Sequence, residues 1–230
     1  KYNQVYENQK NDVHPPLYYL LLRFAMGFHL NNFSMWPGII VNIIIYSLIT
    51  VFTYLIIKRL LCKHSNVNKK AFIITLLSSL TLATIASVLY IRMYALATLN
   101  IVITTYLHMV LLDSKNNNYK LLFCIGLSAL IGSLTHYHYL FYLAMLVIMF
   151  AIKYIKEKRY KELISYIVTM CIAGILSLLI FPYSIQHMFF GYRGQGALSK
   201  LTNISEFITS IGTYLGIINL YGFNNLLFIA

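Results

Sequence analysis

The sequence predicts an all-α protein that folds as a polytopic bundle of transmembrane helices. Of its 230 residues, 59% are hydrophobic and only 10% are charged, whereas a soluble globular domain carries about 25% charged residues. The mean hydropathy is +0.70. Apolar runs of about 18 residues or more recur along the chain, which is the length of a transmembrane helix. These runs are continuous rather than alternating, so the pattern favours helices over the strands of a membrane barrel.

Two of the apolar runs are too long for a single crossing. Residues 71–112 and 119–152 would extend roughly 63 Å and 51 Å at about 1.5 Å per residue, against a hydrocarbon core of about 30 Å. Arg92 lies near the middle of the first run, and the polar sequence THYHY (135–139) interrupts the second. Each run is therefore predicted to form two spans that meet at a turn.

Six to seven spans and one interfacial helix follow from this division. Residues 17–30 include Arg23 and His29 and are too short to span, which is typical of a helix that lies in the membrane interface. Residues 204–230 suit an interfacial helix, a span or both, and would supply the seventh crossing. The six predicted spans are 38–57, 71–90, 93–112, 119–135, 139–153 and 163–182.

We expect a single domain, residues 1–230, that is truncated at both ends. The chain begins with Lys1 rather than methionine and stops inside the apolar run NNLLFIA, which suggests a piece of a longer protein. Residues 1–37 would form an outer loop with the interfacial helix, residues 38–182 the transmembrane core, and residues 183–203 a second outer loop.

The basic residues predict the orientation of the bundle. The segments 58–70, 115–120 and 153–161 carry 12 of the 18 Lys and Arg residues, and the opposite side carries the remaining six. Because short cytoplasmic loops hold the excess of basic residues, the first set is expected in the cytoplasm. The net charge of +12 then reflects membrane orientation rather than binding of nucleic acid, and no nucleic-acid-binding motif accompanies it.

Four polar segments from separate parts of the chain converge on the outer side in this topology. They are NDVHPP, Arg92, THYHY and GYRGQG. We therefore expect a multi-pass protein of the cell membrane whose active site faces outside the cytoplasm.

Asp12, His14 and Tyr18 are the first candidate site residues. Asp12 could act as a general base or bind a metal, and the alternative is a helix cap or a solvated acid. His14 could orient a phosphate or an acid, and the alternative is a polar residue of the interface. Tyr18 lies in the predicted interfacial helix at headgroup level, where tyrosines of the aromatic belt are also common.

Cationic and imidazole groups supply further candidates. Arg92 could clamp a lipid phosphate, because a guanidinium binds phosphate oxygens in a bidentate manner, or it could snorkel to the interface. His136 and His138 flank Tyr137, and we expect this wet turn to hydrogen-bond a substrate. A divalent metal there would need further ligands, and no other cofactor is indicated. Arg193 in GYRGQG could meet a second anionic group.

Four segments, in this order, resemble a known family. They are NDVHPPLYYLLLRF (11–24), LYIRMYALATLNIVITTYL (89–107), GSLTHYHYLFYLAML (132–146) and FPYSIQHMF (181–189). The set is similar to the bacterial members of the dolichyl-phosphate-mannose protein mannosyltransferase-like glycosyltransferases. These belong to the glycosyltransferase C superfamily, which includes aminoarabinose transferases of lipid A. The resemblance covers about residues 8–190.

The resemblance implies a function. Enzymes of this family are multi-span helical proteins that take a sugar from a polyprenyl-phosphate donor and transfer it, with inversion, to a protein, lipid or glycan acceptor. Their active site faces outward, and an acid in the first outer loop acts as a base or a metal-associated residue. The regions that match Arg92, Tyr94 and residues 135–137 border the donor cavity.

The chain departs from the family pattern at its beginning. The family's acidic pair follows the first transmembrane helix and precedes the HPP segment, and we expect both to lie upstream of residue 1. Asp12 would then be a secondary acid of the site rather than the principal base.

Two other functions compete with the glycosyltransferase. A transporter or flippase of lipid-linked glycans should show internal repeats and broken helices at the midplane, and the sequence shows no repeat. A non-catalytic membrane protein is the third hypothesis.

Overall fold

The computed structural model describes residues 2–28, 34–114, 118–191, 195–196 and 203–223. Within these ranges the chain is helical and contains no strand, as the composition predicts. The α-helices are α1 (Tyr2–Lys10), α2 (Leu17–Met26), α3 (Trp36–Leu60), α4 (Val67–Ser79), α5 (Leu82–Leu89), α6 (Tyr94–Leu112), α7 (Tyr119–Ser133), α8 (His138–Lys156), α9 (Tyr160–Ile180) and α10 (Ile204–Phe223), and a π-helical segment covers Gln186–Phe190.

Four helices in the described part of the chain are long and apolar enough to cross a membrane, namely α3, α6, α8 and α9. The bent pair α4–α5 raises the number to five if it forms one span. The predicted total of six to seven spans is therefore not confirmed. The helix α7 has 15 residues and counts only as a shorter apolar helix. The predicted outer loops also contain regular structure, because α1 and α2 lie before residue 37.

The region of the predicted span 71–90 is broken between α4 and α5, which are bent by 61°. Two threonines satisfy the backbone groups at the break. Thr81 caps α5 by accepting a hydrogen bond from Thr84 N at 3.4 Å, and Thr84 Oγ1 donates to Ser79 O at 2.8 Å. Such local side-chain bonds compete with continuation of a helix, and they supply the partners that backbone groups need in an apolar surrounding.

The connected helices bring the polar segments to two opposite ends of the bundle. We call the basic end the last turns of α3, α6 and α8 together with the first turns of α4, α7 and α9. There Arg59 pairs with Asp113, and Arg159 Nη2 donates to Ser114 O at 3.2 Å. We call the histidine end the opposite ends of these helices, together with residues 11–17 and 181–191.

Two apolar cores support these ends. One packs α2, α3 and the start of α6 beneath the histidine end, and its buried members are Tyr18, Ile45, Ile49, Met93, Ala95, Leu96 and Leu99. The other packs α6, α7, α8 and α9 toward the basic end, and its buried members are Leu111, Leu121, Leu122, Ile125, Phe150, Tyr154 and Tyr166.

A buried histidine links α6 to α9 inside the second core. His108 Nδ1 lies 2.8 Å from Thr104 O, and a carbonyl oxygen only accepts, so this nitrogen carries the proton. His108 Nε2 therefore accepts from the Tyr166 hydroxyl at 3.0 Å. The Phe150 ring packs edge-on against the imidazole, with 4.9 Å between ring centroids. Polar groups inside a membrane bundle need partners of this kind, because lipid offers none.

We predict that His108→Leu and Tyr166→Phe destabilise the bundle in a coupled way. Each change removes one partner of the hydrogen bond, so the double variant should lose less stability than the sum of the single variants. The expected coupling is about 0.6 kcal/mol, the typical value for such bonds between membrane helices. It can be measured by unfolding the detergent-solubilised protein with a denaturing detergent.

The control for this cycle is Tyr119→Phe, because Tyr119 is exposed and should change nothing. Strict additivity of the two single variants would show that the bond contributes nothing to the association of α6 with α9.

Candidate functional site

The HPP turn joins α1 to α2 and docks α2 on the end of α7. Pro15 and Pro16 precede the first turn of α2, where proline is tolerated because the first N–H groups of a helix have no partner within it. Leu17 N donates to Leu134 O at 3.2 Å. This backbone bond holds the start of α2 beside the THYHY segment, although more than a hundred residues separate them in the chain.

A buried asparagine holds the turn that carries Arg92. The Tyr18 hydroxyl donates to Asn42 Oδ1 at 3.2 Å. Asn42 Nδ2 donates to the carbonyl oxygens of Ser87, Val88 and Tyr90 at 3.4, 3.1 and 3.2 Å. One amide on α3 thus connects α2 to the end of α5 and fixes the position of the turn between α5 and α6.

Three imidazoles form a continuous ring cluster at the histidine end. His136 and His138 are stacked, with 4.6 Å between ring centroids, and His14 lies 5.7 Å from His136. Tyr94 approaches the same His136 ring at 5.5 Å. His138 N donates to His136 Nδ1 at 3.1 Å. His14 and His136 are buried, whereas His138 is exposed.

Asp12 lies at the open side of this ring cluster. Its Oδ2 atom is 3.5 Å from His14 Nδ1, and its Oδ1 atom accepts from Val13 N at 2.7 Å. With its amide in the orientation that satisfies both ends, Gln9 donates to Asp12 Oδ2 at 3.2 Å and to His14 O at 3.0 Å. The carboxylate accepts hydrogen bonds from Val13 N and Gln9 yet remains 38% exposed, so an incoming molecule can reach it.

Arg92 lies on the tyrosine side of the site. Its guanidinium is 5.8 Å from the centroid of the Tyr90 ring, and Tyr90 stacks on Tyr94 with 6.1 Å between centroids. Burial and the negative charge of Asp12 raise the pKa of Tyr19, and Arg92 opposes this rise through its charge and a hydrogen bond. The charges of the carboxylate and the guanidinium thus both act on Tyr19, and the hydroxyl of this tyrosine contacts Met93 Sδ at 3.8 Å.

Tyr137 points its hydroxyl away from the ring cluster, toward the π-helical segment Gln186–Phe190. His187 Nε2 donates to Lys10 O at 2.9 Å, so His187 Nδ1 accepts from the Tyr137 hydroxyl, also at 2.9 Å. Burial raises the pKa of Tyr137 to about 12, against a hydrogen bond with Ser184 that lowers it. This phenol stays protonated at neutral pH and ties α8 to α1.

The structure thus separates the predicted site residues into groups. It brings together Asp12, His14, Arg92, Tyr94, His136 and His138. Tyr18 was expected at the substrate, but its ring is fully buried and its hydroxyl supports Asn42. The Tyr137 hydroxyl is likewise hydrogen-bonded to a neighbouring side chain, at His187 Nδ1. Arg193 lies outside the described residues.

Sequence reasoning missed several residues that build the site. Asn42 is a single amide within an otherwise apolar run, and that isolation was the available signal. Tyr19 has the sequence context of an ordinary aromatic-belt tyrosine, and nothing in the local sequence distinguishes Tyr90. His187 lies in the segment FPYSIQHMF, but nothing in its local sequence shows that it meets Tyr137.

The described residues contain no group of three or more His, Cys, Asp or Glu side chains that could hold a metal ion. The divalent metal stays a prediction, without a preformed ligand set in this part of the chain. Chemically, the site offers a carboxylate beside an imidazole for proton transfer, a guanidinium for an anion, and aromatic rings for a flat apolar face.

Comparison with known proteins assigns no relative. No family model, no curated protein and no solved structure matches the chain.

We predict that Asn42→Leu destabilises the protein more than Tyr18→Phe does. Loss of the amide removes the donor of the Ser87 and Val88 carbonyl groups, whereas Tyr90 O keeps Arg92 N at 2.7 Å; the cost is about 1–3 kcal/mol for a buried group that loses its partner. Tyr18→Phe removes one hydrogen bond from the same amide, at a cost of about 1 kcal/mol. Thermal unfolding in detergent measures both.

A local readout can accompany that measurement. A cysteine placed at Arg92 should react faster with a water-soluble maleimide in the Asn42→Leu background, because the turn is no longer held. Equal reactivity in both backgrounds, together with equal stability of the two variants, would contradict the clamping role of Asn42.

Proposed function

We propose that the histidine end is the active site of a membrane glycosyltransferase. The enzyme would transfer a sugar from a polyprenyl-phosphate donor to a lipid, glycan or protein acceptor, with inversion, on the outer face of the cell membrane. The observation that carries the proposal is the convergence of Asp12–His14, Arg92 and the pair His136–His138 from three distant parts of the chain.

Arg92 and Asp12 match the two changes of charge in such a reaction, one at the leaving group and one at the acceptor. The departing lipid phosphate gains negative charge as the glycosidic bond breaks, and a guanidinium stabilises that charge. The acceptor hydroxyl or amine loses a proton, and a carboxylate can receive it. Arg92 and Asp12 would fill these two roles. Inversion then requires attack from the face opposite to the leaving group, by the logic of inverting glycoside chemistry.

An apolar cleft next to Arg92 suits the lipid part of the donor. It has a volume of about 510 Å³ and lies between α5 and the start of α6. Tyr90 and Tyr94 line one side of it, and the Tyr90 ring carries the guanidinium of Arg92. A polyprenyl chain in this cleft would present its phosphate to Arg92.

The topology that the proposal requires has the basic end in the cytoplasm. The excess of Lys and Arg at that end supports this orientation. In this arrangement α7 also crosses, because it runs from the basic end to Leu134 at the histidine end. At about 1.5 Å per residue it is shorter than a core of about 30 Å, so the bilayer would thin around it. With the bent pair α4–α5, the bundle then has six crossings, and α10 would supply a seventh.

A transporter or flippase of lipid-linked glycans is the second candidate. The break between α4 and α5, with its bend of 61°, favours it, because discontinuous helices form the binding sites of many transporters. The break lies away from the ring cluster, however, whereas the titratable groups converge at the histidine end. The enzyme therefore accounts for more of the arrangement.

We predict that Asp12→Asn and Arg92→Ala impair transfer in different ways. Asp12→Asn should lower the rate about 10²-fold or more with donor binding preserved, because it removes a proton acceptor. Arg92→Ala should weaken donor binding at least about tenfold, because it removes a charged hydrogen-bonding partner of the phosphate. The assay uses the longest available form of the protein in proteoliposomes, labelled polyprenyl-phosphate sugars and an extract of acceptor membranes.

Matched controls are Glu206→Gln and Arg23→Ala, which change an exposed carboxylate on α10 and an exposed guanidinium on α2. Transfer at the parental level by both Asp12→Asn and Arg92→Ala would overturn the proposal. Movement of the lipid-linked sugar between leaflets without any transfer would favour the transporter.

A further inference from the structure

An apolar groove runs along the surface between α7 and α9, and its lining residues are distinct from the ring cluster. Its volume is about 600 Å³, and its walls are almost entirely aliphatic and aromatic. The two helices touch at its floor, where Gly126 packs on Thr169; a Cβ atom at position 126 would lie 2.8 Å from Thr169 Cγ2. The groove exists because a glycine lets the helix backbones approach while larger side chains on either side stand out.

The walls of the groove are large apolar side chains that face outward. Phe123 on α7 is 69% exposed and Ile164 on α9 is 63% exposed. Since α9 is long and apolar enough to cross a membrane, these walls face the hydrocarbon of the bilayer. The natural occupant is therefore a hydrocarbon chain.

The length of the groove corresponds to one leaflet. It is lined on α7 from Tyr119 to Leu130, which is about 16 Å at about 1.5 Å per residue. A leaflet contributes about half of a core of about 30 Å. A further transmembrane helix would need the full thickness, so the dimensions favour a lipid chain that enters from the basic end.

Two lysines stand at the mouth of the groove. Lys120 follows Tyr119 directly. Lys161 lies one turn before Ser165, which lines the groove, and Ser165 Oγ donates to Lys161 O at 3.0 Å. Both lysines are exposed. Two lysine ammonium groups at the depth of the lipid headgroups, beside a groove that can hold an acyl chain, are complementary to a lipid with an anionic headgroup.

The acidic side chains of the basic end form ion pairs with other cations. Glu157 pairs with Lys153 and Arg159, and Glu162 also pairs with Arg159. Asp113 pairs with Arg59. Among the ion pairs of the described residues, none includes Lys120 or Lys161, so their charges are not cancelled by a neighbouring carboxylate.

We propose that an anionic phospholipid of the leaflet at the basic end binds here, with an acyl chain in the α7–α9 groove and its phosphate between Lys120 and Lys161. The site is independent of the proposed transfer reaction.

Tryptophan quenching by brominated lipids tests the site. Trp36, at the opposite end, is first replaced by Phe. A reporter is then placed in the groove wall by Phe123→Trp, and a matched reporter outside the groove by Phe72→Trp on α4; both phenylalanines are exposed and lie within two turns of the basic end. Each protein is reconstituted into phosphatidylcholine vesicles in which either brominated phosphatidylglycerol or brominated phosphatidylcholine replaces a fixed fraction.

The groove reporter should prefer brominated phosphatidylglycerol by about fivefold for each lysine that contacts the headgroup. Lys120→Gln with Lys161→Gln should abolish this preference, whereas Lys63→Gln with Lys69→Gln, which removes two charges at the same end, should retain it. The reporter at position 72 should show a clearly smaller preference.

Three outcomes would overturn the proposal. An equal preference at positions 123 and 72 would indicate general attraction to the basic end. A preference that survives Lys120→Gln with Lys161→Gln would place the headgroup elsewhere. Absence of quenching by either lipid at position 123 would show that another helix or a second copy of the chain covers the groove.

Discussion

The arrangement of the histidine end depends on a single buried amide. Asn42 lies within an apolar membrane helix, where each backbone carbonyl of the neighbouring turn needs a donor that lipid cannot provide. By supplying that donor to the α5–α6 turn and accepting from Tyr18, it fixes two chain segments against α3 at once. The turn that carries Arg92 takes its position from this contact, and α2 is held by it together with the bond from Leu17 N to Leu134 O.

Part of this architecture could be predicted from the sequence because it depends on local properties. Hydrophobic length identifies α3, α6, α8 and α9, and the isolated charge of Arg92 and the polar THYHY segment mark real turns. The break between α4 and α5 could not be read in this way, because it depends on hydrogen bonds made by Thr81 and Thr84 within an otherwise apolar run.

The candidate site, like the fold, could be predicted only in part from the sequence. Composition and topology could predict that polar groups converge at one end, since helices of alternating direction bring alternate turns together. The roles of Tyr18, Tyr137 and His187 depend on which partner each side chain meets across the fold. Such long-range pairs leave no periodic pattern in the sequence. Tyrosines that look equivalent there differ in the structure: Tyr90 and Tyr94 are exposed near Arg92, whereas Tyr18 is buried and donates to Asn42.

The bond from His138 N to His136 Nδ1 has a consequence for proton chemistry. A ring nitrogen that accepts a backbone N–H cannot carry a proton of its own, so the neutral His136 ring holds its hydrogen on Nε2. The fold therefore fixes the tautomer of His136, in which Nε2–H is the hydrogen-bond donor of the ring. In this tautomer His136 donates through Nε2, whereas a carboxylate such as that of Asp12 accepts hydrogen bonds.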